Sequence, residues 1–162
     1  MKRNQNLSKV NLPKSSVVSV SLTGIFSKLI SLITWSKWNH TAFLIDGWVY
    51  ERDLKSIKST PIQEYLKFAT IHIHYRSVPE LDKIWVDDYI LNVSILKKYD
   101  WLRTLLWPFR LIYKDRNRDS ENCVEFIESV YFNKFGYNIF NKSNLSPAQV
   151  FEHLSSFEKT YP

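Results

Sequence analysis

The chain is 162 residues long, 44% hydrophobic and 23% charged, which fits one domain with a proper core and excludes a disordered chain. Its net charge of +6 permits weak contact with nucleic acid or an anionic membrane surface, but no ribonucleoprotein motif, zinc finger or helix-turn-helix signature accompanies it, so no specific nucleic-acid binding is expected. The single cysteine excludes an intramolecular disulfide, no apolar run is long enough to span a bilayer, and the polar start lacks a signal-peptide cleavage site, so the sequence reads as cytoplasmic.

Residues 1–16 carry Lys2, Arg3, Lys9 and Lys14 without an acidic counterweight and read as a flexible basic arm, with 17–162 as a single domain. Val17–Leu22 alternates Val and Ser, a strand pattern. From Gly24 to Trp35 the residues Ile25, Phe26, Leu29, Ile30 and Ile33 recur at helical spacing and predict a short amphipathic helix. Thr41–Ile45 and Trp48–Arg52 flank Asp46-Gly47, a two-residue hairpin turn of the favoured type.

Thr60-Pro61 predicts a helix with Thr as N-cap, running to about Phe68. Ile71–Arg76 alternates as a strand, residues 80–96 look helical, and Pro108 breaks the stretch 97–118. Ser120 is placed to cap a helix through Cys123, Val124, Phe126, Ile127, Val130 and Tyr131, and Ser146-Pro147 opens a last helix. The order predicts an α+β domain.

Three placements carry chemistry. Cys123 falls in the first turn of a predicted helix, where free backbone N–H groups and the macrodipole favour a thiolate over a thiol. His40 opens the hairpin, a rigid element that can hold a general base in one rotamer. Glu51 ends the return strand, and the tight turn makes it a cross-strand neighbour of His40, able to accept from the imidazole and fix its tautomer. Nothing in the local pattern brings His40 to Cys123.

A resemblance supplies that pairing. The segments Ile33-Thr34-Trp35-Ser36-Lys37-Trp38-Asn39-His40, Thr41-Ala42-Phe43-Leu44-Ile45, Val49-Tyr50-Glu51, Lys98-Tyr99-Asp100, Asn122-Cys123-Val124-Glu125-Phe126-Ile127 and Leu145-Ser146-Pro147 occur in this order over roughly residues 17–155. Together they resemble the circularly permuted NlpC-type papain-like superfamily, especially the YaeF/YiiX-like amidases, with lecithin retinol acyltransferases as distant relatives. The resemblance implies a permuted papain-like fold, with an antiparallel sheet packed against the helix that carries a nucleophilic Cys. It implies Cys123 as nucleophile, His40 as base, Glu51 as the third polar residue, and Tyr99 as an active-site neighbour. The Gly-Asp pair with which the family often begins is missing near Ser16-Val17, and Val124 replaces a small polar residue.

The implied activity is a thiol-dependent hydrolase of an amide or ester bond, working through a thioester. An acyltransferase of the same fold and an inactive interaction module are the alternatives. The expected partner is an amide- or acyl-bearing small molecule, lipid or peptide. Trp35, Trp38, Trp48, Trp101 and Trp107 lean toward an amphipathic or acyl-bearing substrate. No cofactor is implied, and no metal: His72 and His74 share a strand face but lack a third ligand in the sequence.

Overall fold

A computed structural model of the chain describes residues 12–74, 78–92, 98–99, 120–140 and 145–158. The described residues form an α+β structure around a five-stranded antiparallel sheet. In chain order the elements are β1 (Ser15–Leu22), α1 (Ile25–Thr34), β2 (His40–Ile45), β3 (Trp48–Arg52), β4 (Ile57–Pro61), α2 (Ile62–Tyr65), β5 (Ala69–Ile73) and α3 (Lys83–Asn92). A short parallel pair, β6 (Lys98–Tyr99) and β7 (Ser120–Glu121), precedes α4 (Cys123–Phe135) and α5 (Pro147–Glu158).

The sheet order is β4-β3-β2-β1-β5, so β1 and β2 are interior and nearly every residue of both is buried. Strand alternation then sorts side chains into two cores. Val17, Phe43, Ile45 and Tyr50 pack under α3, α4 and α5 with Val86, Phe126, Ile127, Tyr131 and Leu154. Val18, Val20, Ala42, Leu44 and Val49 pack on the opposite face with Ile62 and Tyr65 of α2.

The hairpin turns as its sequence predicts. Asp46 and Gly47 both adopt positive φ, 47° and 79°, the pair of left-handed conformations that matches the twist of the flanking strands.

Five expectations need correction. β1 begins at Ser15, two residues inside the stretch read as an arm; both serines are buried, and Ser15 Oγ accepts from the Leu81 N–H at 2.7 Å. Thr60 does not cap a helix. Thr60 and Pro61 end the edge strand β4, where a proline's missing N–H leaves no interior ladder bond unmade, and α2 is only four residues long. The strand expected at 71–76 begins earlier, at Ala69, and ends at Ile73, and the helix expected over 80–96 begins at Lys83 and is described as far as Asn92. Ser120 lies in β7, and the residue that caps the Cys helix is Asn122. Residues 75–77, 93–97 and 100–119 lie outside the described residues.

Candidate active site

The sulfur is positioned by a helix start. Asn122 has extended backbone, and its side-chain oxygen accepts from the N–H groups of Val124 and Glu125 at 2.9 and 3.0 Å. Glu125 reaches back to accept from the Asn122 N–H at 3.1 Å. This reciprocal box fixes the first turn of α4 with Cys123 as its first helical residue. The N–H of Cys123 is not one of those the box takes.

The imidazole is positioned by the sheet. His40 is the first residue of β2, opposite Val20 of β1. The neighbouring Asn39 locks this strand start in place: its amide donates to the Leu22 carbonyl at 3.0 Å and to Ser31 Oγ at 2.9 Å, while its oxygen accepts from the Leu22 N–H at 2.9 Å. These bonds tie the end of β1, the body of α1 and the start of β2 together.

Glu51 meets His40 as the hairpin logic requires, in a slightly different register. The β2–β3 ladder pairs Phe43 with Tyr50, and continuing that register sets Glu51 opposite Ala42. His40 is therefore its diagonal neighbour on the same face, a relationship that long side chains bridge. His40 Nε2 lies 3.0 Å from Glu51 Oε2, an ion-pair distance, although the ring N–H is not aligned on the carboxylate as a good hydrogen bond.

The sulfur and the ring also meet. Cys123 lies close enough to the ring to be among the causes that raise the His40 pKa. Burial alone would push the imidazole toward neutrality, but Cys123 and Glu51 outweigh it and raise the His40 pKa to about 10. Burial opposes ionisation of Glu51 as well, yet the His40 ring and the Tyr65 hydroxyl hold its pKa below the usual carboxylate range. Cys123 belongs to the core under α4, whereas Ala42, Val49 and Tyr65, which flank His40 and Glu51, belong to the opposite one. The two halves of the site thus come from the two cores and meet at the end of the sheet where β2 begins.

Sequence reasoning missed one member of this group. Tyr65, fully buried on α2, donates from its hydroxyl to Glu51 Oε2 at 2.6 Å. Burial first, and then Glu51 and Cys123, raise its pKa, so it remains a neutral donor. Its only signal in the sequence is an aromatic residue three positions after the apolar Ile62, which reads as core.

The other expected residues fare differently. Tyr99 pairs through its backbone with Glu121, two residues before Cys123; its side chain, with Asp100, Trp101 and Trp107, lies outside the described residues. Trp35 and Trp48 are exposed, while Trp38 is buried and stacks on Phe151 at 5.0 Å. His72 and His74 do share a face, with ring centroids 4.7 Å apart, and both pack against Phe151. His74 is kept neutral, its pKa lowered to about 3 by burial and by His72, and its Nε2 lies 2.8 Å from Ser19 Oγ. Among the described residues no group of three or more His, Cys, Asp or Glu is disposed to hold a metal, and no helix is long and apolar enough to cross a membrane.

No model of a known protein family matches the chain, and no curated protein matches it.

Chemically, the cluster is a cysteine sulfur, an imidazole of raised pKa, a carboxylate and a phenol, in that spatial order. It is also closed. Cys123 is 2% exposed and His40 6%, so a reactant reaches the sulfur only when the surrounding side chains move.

Proposed function

We propose that this protein is a thiol-dependent hydrolase cleaving an amide or ester bond, with Cys123 as nucleophile, His40 as acid and base, and Glu51 as the group that orients the ring. The observation that carries this reading is a single imidazole flanked by a carboxylate at 3.0 Å and by the sulfur of a cysteine at the first position of a capped helix. Core histidines are ordinarily neutral; one whose pKa is raised beside a cysteine and a carboxylate is arranged for proton transfer.

With Nε2 at Glu51, Nδ1 is the nitrogen left for the sulfur. His40 takes the Cys123 proton, the thiolate attacks the carbonyl carbon, an S–C bond forms, and the carbonyl π electrons move onto oxygen, where the Cys123 N–H can donate. Collapse of this intermediate breaks the C–N or C–O bond, and His40 protonates the leaving group. Water, deprotonated by His40, then attacks the thioester and releases the acid and the thiol. An amine or alcohol in place of that water makes the same site an acyltransferase.

The arrangement accords with a circularly permuted papain-like fold of the NlpC type: the base precedes the nucleophile in sequence, and the Cys helix packs on an antiparallel sheet that carries the His. The substrate class is an amide- or acyl-bearing small molecule, lipid or peptide, and the unpaired thiol suits a reducing, cytoplasmic setting.

The test is the pH profile of Cys123 alkylation by iodoacetamide, followed by a panel of acyl probes. A working pair reacts rapidly below about pH 7, slows in His40→Ala, and leaves a thioester adduct on Cys123. Reactivity that rises only near about pH 8.5, with no adduct from any probe, makes Cys123 a packing residue and the protein an interaction module.

A further inference from the structure

The helix α1 carries apolar residues outward as well as inward: Phe26, Ile30 and Ile33 are buried or half-buried, yet a second apolar row is exposed. Ile25, Leu29, Leu32 and Trp35 are 90, 41, 67 and 93% exposed, whereas Ile30 is the one residue of the helix that is fully buried. At 100° per residue these four positions, together with the exposed Lys28, lie on one continuous stripe. Solvent-facing helix surfaces are normally polar, so such a stripe marks a face built to be covered. Trp35 closes the helix in a left-handed conformation, φ 51°, and is open to solvent, while the exposed Lys37 sets its ammonium over the Trp38 ring, 4.7 Å from its centroid.

Charge selects what covers it. The first 45 residues contain Lys2, Arg3, Lys9, Lys14, Lys28 and Lys37 and no Asp or Glu, while the remaining 16 Lys and Arg are matched by all 16 Asp and Glu. The formal charge of +6 therefore belongs entirely to the segment that contains α1. An apolar helix face with a terminal Trp, set in a purely cationic segment, has the chemistry of a helix lying in the plane of an anionic membrane surface.

We propose that α1 docks this protein onto anionic lipid bilayers, with Ile25, Leu29, Leu32 and Trp35 entering the interface and Lys28 and Lys37 at the headgroups. The helix is about 15 Å long and lies flat, because it is too short to cross. Docking of this face is independent of the thiol chemistry. Its consequence for the site is positional: Asn39 fastens α1 through Ser31 directly beside His40, so the base is held at a fixed distance from the lipid plane.

The experiment is co-sedimentation of the full chain with vesicles of phosphatidylcholine alone or mixed with phosphatidylglycerol. Binding is expected to the mixed vesicles only, about tenfold weaker when salt rises from roughly 0.05 to 0.5 M. Leu32→Glu combined with Trp35→Glu, both exposed positions, should abolish it while leaving thermal unfolding and Cys123 alkylation unchanged. Three results overturn the proposal: no binding to anionic vesicles at low salt, binding retained by the double variant, or a dimer in solution that the double variant dissociates, which would assign the face to a second copy of the chain.

Discussion

Tyr65 donates to Glu51 Oε2 across 2.6 Å, and the same oxygen lies 3.0 Å from His40 Nε2. One carboxylate oxygen therefore links a residue on a four-residue helix to the ring that faces the thiol, and the phenol takes part in holding Glu51 ionised within an otherwise apolar core. Tyr65→Phe keeps the ring and removes the donor. It should lower unfolding stability by about 2 kcal/mol in urea titrations, the usual worth of a hydrogen bond to a charged group. The Glu51 pKa should rise, moving the acid limb of the alkylation profile of Cys123 upward. An unmoved limb would show that Tyr65 only fills space.

Glu51→Gln retains the shape and an acceptor for Tyr65 but removes the charge beside His40. Burial then acts on the ring with less opposition, so the His40 pKa should fall. On any substrate that the acyl-probe panel identifies, kcat should drop by about a hundredfold or more with little change in KM, the pattern of a group that supports the imidazolium. Equal activity in the two forms would remove Glu51 from the mechanism.

The protonation state of His40 is directly measurable. Its resonances in a selectively labelled sample should be those of an imidazolium at pH 7, with a midpoint near 10. In Cys123→Ala the midpoint should fall, because the sulfur's contribution is gone while the burial remains. The sign for stability follows from the raised pKa. The contribution of His40 is complete below its unfolded value of about 6.5 and is lost as pH climbs through about 10. Glu51 acts oppositely, its contribution present above the ordinary carboxylate range and lost as pH falls through its depressed folded value. Urea midpoints measured from pH 4 to 10.5 should therefore decline at both ends, and the alkaline decline should shrink in Cys123→Ala.

Asn122→Ala dismantles the box at the head of α4, since both bonded N–H groups lose their acceptor. The expected loss is about 1 kcal/mol, or a Tm lower by roughly 3 °C for a chain of this size. Alkylation of Cys123 should become less dependent on His40 as the first turn loosens. Asn122→Ser, which can still cap, should recover both properties.

How far the sequence reached can be judged from particular residues. Asp46-Gly47 was readable because only a few residue pairs tolerate two successive left-handed conformations, and the diagonal meeting of His40 with Glu51 follows from that turn. The β4 strand was not readable. Lys58, Ser59 and Thr60 have no apolar alternation, since an edge strand that is largely solvated needs none, and Thr60-Pro61 imitates a helix start. Ser120 and Asn122 are both good caps, and local propensity cannot rank them; the pairing of Ser120 with Lys98 decided in favour of Asn122.

By itself, then, the chain determined the hairpin, a helix with the cysteine in its first turn and the basic character of its first segment, because turn chemistry, periodicity and charge act over a few neighbouring residues. Only the tertiary structure decided that the Cys123 sulfur reaches the His40 ring, that Tyr65 buttresses Glu51, and that the apolar stripe of α1 faces outward. Each of these depends on how the two cores close around the sheet. Helical spacing states which apolar residues share a side; packing of the whole domain chooses which of them are covered.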